Sequence, residues 1–335
     1  MDTVAASKYI VLSLLLIPLS LFAAKPQKGK ITVEQQQQFR YYWYAAREAL
    51  ENKDYPRALV LLEFCDAIKP NDGQTLTYIG ALYEGMGKKE QALETFRKAF
   101  EADPRDSWYR YANALMAQNT PESERQALKV LEQALKSQEA RVESGESRVD
   151  EDLLELLMRL YGADKQWKKA LSMQDRLDAI RGFNAYSAVN RYRIYALWNK
   201  PKKALAVLDK YLEQDPTNLQ FILYRIELLE LTKAKPAELY AAYDQVLAIQ
   251  PGHLGILNNY AYHLATHKGD LQKAERMSQI TIREDPDNPV YLDTYGWILH
   301  LKGQDELAKF YLNRALIHAH ETNQDEIKKH LHSIK

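Results

Sequence analysis

One small or compact apolar residue recurs along this 335-residue chain at a nearly fixed interval. Its positions are Ala58, Ala92, Ala127, Ala170, Ala204, Leu239, Ala274 and Ala308, with steps of 34, 35, 43, 34, 35, 35 and 34. A period of that length marks a stack of like supersecondary units, none of which can bury its apolar face alone. The surrounding residues keep the same beat. Residues 73–104, GQTLTYIGALYEGMGKKEQALETFRKAFEADP, carry Leu76, Ile79, Gly80 and Tyr83, then Ala92, Phe96 and Ala99. Residues 292–316 match them without a gap through Leu292, Tyr295, Gly296 and Leu299, then Ala308, Leu312 and Ala315. Prolines close the units at Pro70, Pro104, Pro216, Pro251 and Pro286.

Each unit is expected to be a helix hairpin. Apolar residues spaced three, four and three apart form a stripe on a first helix, a polar break such as HLKGQDE turns the chain, and a second stripe follows. Glycine inside a helix costs about 1 kcal/mol relative to alanine, so Gly80 and Gly296 need a packing reason. Paired with Ala92 and Ala308, they mark where two helix axes must approach closely. Gly303 has another role, ending its helix in a left-handed turn.

The pattern W-x2-L-G-x2-Y…A-x3-F…P, which these residues follow, resembles that of the tetratricopeptide repeat family over about residues 38–317. The resemblance implies an all-α, helix-turn-helix solenoid of about eight repeats with a C-terminal capping helix. Three repeats are expected over 38–139, the last with an elongated second helix, then an acidic connection over 140–150, five repeats over 151–320, and the cap over 321–335. The long step of 43 residues lies at that connection, where a hinge and a rigid excursion are both open readings. Arg191, Ser278 and Leu239 depart from the pattern and predict looser packing in their units. Cys65 aligns with Ala99 and Ala315 and is expected to be a buried structural thiol. A lone cysteine can form no internal disulfide.

The N-terminus is a different kind of sequence. Lys8 precedes the 16-residue apolar run YIVLSLLLIPLSLFAA, residues 9–24, and the polar, basic KPQKGK follows. That layout predicts a secretory signal peptide over 1–24, cut near Ala23 and Ala24, then a flexible leader over 25–37 that becomes helical near Val33. The run is short for a span of about 20 residues and carries Pro18. A retained anchor over 9–24 is the alternative, and no other stretch is apolar enough to span. No cysteine stands at the end of the run to take a lipid.

Lysine plus arginine equals aspartate plus glutamate at 45 each, so no global field favours nucleic acid or an anionic membrane. Catalytic signatures are missing as well: there is no phosphate-cradling glycine loop, no GxSxG turn and no CxxC pair. All eight histidines lie between His253 and His332, with His263 and His267 at i, i+4 spacing. Two imidazoles on one helix face can hold a metal, but the zinc-protease pattern needs glutamate after the first and Leu264 stands there. The expectation is therefore no enzyme, no metal and no cofactor.

Surface is what remains. In proteins of this kind the first helices line a concave side, and positions beside the packing stripe face it. These are Trp43 with Arg47, Tyr109 with Asn113, Val189 with Arg193, Asn258 with Tyr262, and Asp293 with Trp297. Aromatics and arginines carry binding energy at protein interfaces, although Trp297 above all could instead pack against the next unit. The lysine and asparagine clamp by which chaperone-binding relatives grip a C-terminal carboxylate is not reproduced. The resemblance implies an adaptor whose partner is a protein or peptide, the signal-like segment over 1–24 implies a cell envelope, and the oligomeric state is left open. A membrane-anchored receptor or regulator and, further off, a metal-dependent enzyme are the competing readings.

Overall fold

The computed structural model describes residues 31–143, 148–321 and 324–334. The expected signal peptide (1–24) and the first part of the leader lie outside the described residues, as do residues 144–147 of the connection. Among the described residues there are seventeen α-helices and no strand. None of those helices is long and apolar enough to cross a membrane. The chain forms two compact units that divide between Leu177 and Asp178. The first holds α1 (Val33–Glu51), α2 (Tyr55–Ile68), α3 (Gly73–Gly85), α4 (Lys89–Ala102), α5 (Trp108–Met116), α6 (Pro121–Glu143), α7 (Glu151–Ala163) and most of α8 (Trp167–Arg181). The second holds α9 (Ala185–Leu197), α10 (Pro201–Leu212), α11 (Leu219–Leu231), α12 (Pro236–Ile249), α13 (Leu254–Thr266), α14 (Leu271–Glu284), α15 (Pro289–Leu301), α16 (Asp305–His318) and α17 (Gln324–Ser333).

Local chemistry sets the helix starts. Thr32 opens α1 with a capping box: its hydroxyl accepts from the Gln35 N–H at 3.1 Å while the Gln35 side chain accepts from the Thr32 N–H at 2.9 Å. Asp72, Asp150, Asn184, Asn218, Asp270 and Asn288 cap later helices in the same sense, each satisfying amides that a helix N-terminus leaves open.

The turn inside each pair repeats one device. Lys53, Gly87, Asn119, Lys165, Asn199, Lys233, Lys268 and Gly303 all take positive φ, between 51° and 78°. The next residue's N–H then usually returns to a carbonyl five residues back, as from Lys88 to Tyr83 (2.9 Å), Gly269 to Leu264 (2.7 Å) and Gln304 to Leu299 (2.9 Å). This is the Schellman closure, which satisfies carbonyls at a helix end.

Paired helices then lie against each other: α1 with α2, α3 with α4, α5 with α6, and α9 to α16 two by two. Between α7 and α8, Lys169 Nζ sits 4.9 Å over the Tyr161 ring. All eight recurring second-helix residues are at most 3% exposed, so the periodicity of the sequence is the periodicity of the core. The glycine reading holds in atoms. A Cβ on Gly80 would fall 2.6 Å from the Phe96 ring, and one on Gly296 would fall 2.7 Å from Leu312 and 3.2 Å from the Ala308 carbonyl oxygen.

The departures from the pattern are accommodated in three ways. Arg191 forms a partly buried ion pair with Asp178, Nη2 to Oδ2 at 2.5 Å. Leu239 is buried and joins a core cluster with Ala242, Tyr243 and Leu257. Ser278 is fully buried with no hydrogen-bond partner for its hydroxyl. Cys65 is also buried, its Sγ 3.8 Å from the Phe39 carbonyl oxygen, and burial pushes its thiol up to about 12. The long α6 is pinned at its far end: Gln138 donates to the Arg105 carbonyl (3.3 Å) and accepts from the Asp150 N–H (2.8 Å).

Candidate protein-binding site

In the first unit the expected surface positions divide between packing and exposure. Trp43 is half-buried, meeting Tyr78 edge-on at 5.3 Å and stacking on Phe39 at 6.2 Å. Arg47, one turn further along α1, is exposed. Tyr109 is 48% exposed, its ring edge-on to the buried Trp108. It borders a cavity of about 420 Å³ with Arg105, Asp106, Gln138 and Asp152. A second concavity of about 650 Å³ shares Asp106 and is lined by Gln74, Thr77, Tyr78 and Arg110. Asn113 is half-buried and lines neither.

In the second unit Val189 packs into the core between α9 and α11, and Arg193 is exposed. The other four expected positions come together. Asn258 and Tyr262 on α13 face Asp293 on α15 around a cavity of about 300 Å³, which Glu230 of α11 and Glu326 of α17 complete. Asn258 is 3% exposed, and its Oδ1 has no hydrogen-bond partner. An orphaned buried acceptor carries a desolvation cost of about 1–3 kcal/mol, so it calls for an explanation.

Helix α17 is the element that the sequence pattern did not place on these residues. Ile327 and Ile334 bury themselves with Leu292, Tyr295 and Leu312, as expected of a cap. In addition, His330 stacks on Trp297 (4.3 Å between centroids, 18° between planes) and its Nδ1 lies 2.9 Å from Asp293 Oδ1. The Tyr262 hydroxyl donates to Glu326 Oε1 at 3.0 Å. Burial, reinforced by that bond, pushes the Tyr262 phenol up to about 12. Trp297 thus packs within the chain. The i, i+4 spacing of Glu326 and His330, beside the stripe of Ile327, Leu331 and Ile334, was the signal available.

His263 and His267 stack with centroids 4.8 Å apart, and His267 Nδ1 lies 3.1 Å from the His263 carbonyl oxygen. Burial first, and then the neighbouring His267, hold the His263 pKa below the ordinary imidazole value, so its neutral form is favoured.

Successive helix pairs stacked in this way define an all-α helix-turn-helix solenoid. The family model for the tetratricopeptide repeat matches residues 79–140. A TPR repeat-containing protein of Pseudomonas aeruginosa is 30% identical over 145 residues, covering 42% of this chain and 24% of that protein. The chain therefore spans about a quarter of the length of the curated relative it matches. Among solved structures, that of Naa15/Naa10 bound to HypK-THB superimposes with a TM-score of 0.62 at 16% identity, over 90% of this chain and 45% of that one. The C-terminal part of a TPR repeat-containing protein from Cytophaga hutchinsonii gives 0.50 at 17% identity, over 76% and 98%. Residues 79–140 thus match the tetratricopeptide repeat, and the described helix pairs share the fold of these solenoids.

Proposed function

We propose that this protein is a non-catalytic interaction scaffold, exported through residues 1–24 to a bacterial cell envelope, which binds a segment of a partner protein along the first helices of its repeats. The observation that carries the reading is the clustering in the second unit. Four side chains singled out by their register alone, Asn258, Tyr262, Asp293 and Trp297, meet at one end of the array, and three of them line an open cavity. In the first unit, Tyr109 stands exposed beside a comparable concavity, with Arg47 exposed on α1. Exposed aromatic and arginine side chains on a rigid scaffold are what a protein interface uses.

The test is a cross-linked pull-down of the full chain from its own envelope extract, beside a variant with Arg47→Ala, Tyr109→Ala and Arg193→Ala. All three side chains are exposed, so the variant is expected to keep its helicity. A protein enriched by the native chain and lost with the variant supports the scaffold. No enrichment, or full retention by the variant, sinks it. The apolar run of 9–24 favours one further reading, a membrane-anchored receptor, and N-terminal sequencing of the native protein separates the two: a start near Ala24 or Lys25 removes the anchor.

A further inference from the structure

The cavity between α11, α13, α15 and α17 has a chemistry of its own. Its wall carries three carboxylates from three different helices, Glu230, Asp293 and Glu326, and neither lysine nor arginine lines it. Each carboxylate has one oxygen engaged: that of Glu230 accepts from the Tyr243 hydroxyl, Asp293 Oδ1 pairs with His330, and Glu326 Oε1 accepts from Tyr262. Among the described residues no donor reaches their second oxygens. The fourth helix contributes Asn258, nine-tenths buried and bordering the same cavity with an acceptor that no protein group satisfies. A chain with no net charge has thus gathered unused acceptors from four helices in one place, beside the aromatic ring of Tyr262.

We infer that this cavity is a recognition pocket for an arginine side chain of the partner protein. The inference rests on the scaffold reading above and names the chemistry of one position on what the scaffold binds. Gathered like charges are relieved by a cation. Acceptors dispersed over four helices suit a guanidinium, which presents five N–H donors in one plane and lies well against an aromatic ring. An ammonium concentrates its three donors at a point and cannot reach them all. Glu326 is exposed, whereas Asp293 and Asn258 are buried. Helix α17 is in this view a part of the site as well as a cap, because it supplies Glu326.

The experiment uses the isotopically labelled full chain and three small probes: N-acetylarginine amide, its neutral isostere N-acetylcitrulline amide, and N-acetyllysine amide. Saturable NMR shifts at the Asn258 side-chain amide are expected with the arginine probe. The citrulline and lysine probes are expected to bind roughly tenfold more weakly, as loss of charge-assisted, bidentate hydrogen bonds would give. Glu326→Gln, at an exposed position, should weaken the arginine probe by a similar factor without lowering thermal stability. Asn258→Ala should weaken it also, with melting followed to confirm folding. Absence of a saturable shift at Asn258, or equal binding by citrulline or lysine, overturns the assignment. The two hypotheses fail separately. The pull-down turns on Arg47, Tyr109 and Arg193, so a partner lost with that variant while the arginine probe does not bind leaves the scaffold standing without this pocket. A bound probe with no captured partner does the reverse.

Discussion

Position four after the recurring small residue is filled by Phe96 in one repeat and Leu312 in another, each seated against a glycine of the facing helix. In the repeat of Ala274 the same position holds Ser278, whose hydroxyl is buried with no partner. The serine backbone carbonyl does accept from Thr281 Oγ1, at 2.9 Å, so the main chain there is satisfied and the side chain is the orphan. Ser278→Ala removes a buried unsatisfied group and leaves almost the same volume. We expect a gain of about 1 kcal/mol, read as a higher Tm or denaturation midpoint, because an unmade buried hydrogen bond costs about that much. A clear loss of stability would mean that the hydroxyl has a role in the fold. That Gly80 and Gly296 serve close approach was legible from their neighbours in sequence. That Ser278 would be left without a partner was not, because satisfaction depends on which groups from other helices reach it.

At the scale of the helix pair, the left-handed turn residue decides how cleanly the chain reverses. Two of the eight turns have glycine there, Gly87 and Gly303, and these are the two that a sequence pattern marks. Four have lysine, a residue type that pays about 1–2 kcal/mol for a left-handed backbone. Lysine in that conformation carries no local signature, and the turn is imposed by the packing of the helices on either side. Lys165, at φ 58° and exposed, is the simplest position to test. Lys165→Gly is expected to stabilise the protein by about 0.5–1 kcal/mol in chemical denaturation, the relief of strain exceeding the added freedom of the unfolded chain. Gly303→Ala, at φ 78°, is the converse and is expected to destabilise by about 1 kcal/mol.

For the whole molecule, stability is distributed along the array, since each repeat is supported mainly by its neighbours. An end is therefore the place where removal of one element has a local and readable effect. Truncation after residue 320 deletes α17, uncovers the core residues Leu292, Tyr295 and Leu312, and strips the stacked His330 from Trp297. With Ile327 and Ile334 no longer buried, the second unit should lose about 2–3 kcal/mol, and tryptophan emission should shift to longer wavelength. An unchanged melting profile and spectrum would show that α17 is not seated as the structure places it.

The sequence by itself determined the period, the hairpin and the close glycine contacts, because each is dictated by spacing within one helix or between two successive ones. It also picked out Asn258, Tyr262, Asp293 and Trp297, since register along a helix fixes which side chains stand beside the packing stripe. The tertiary structure alone decided what those residues meet. Trp297 is stacked beneath His330, Tyr262 is bonded to Glu326, and Asn258 is left with an unused acceptor among carboxylates from three other helices. Those partners lie 33 to 64 residues away in the chain, for Trp297–His330 and Tyr262–Glu326 respectively, beyond the reach of any local pattern. Local periodicity specifies a face, whereas the chemistry of a site comes from the elements that folding brings to it.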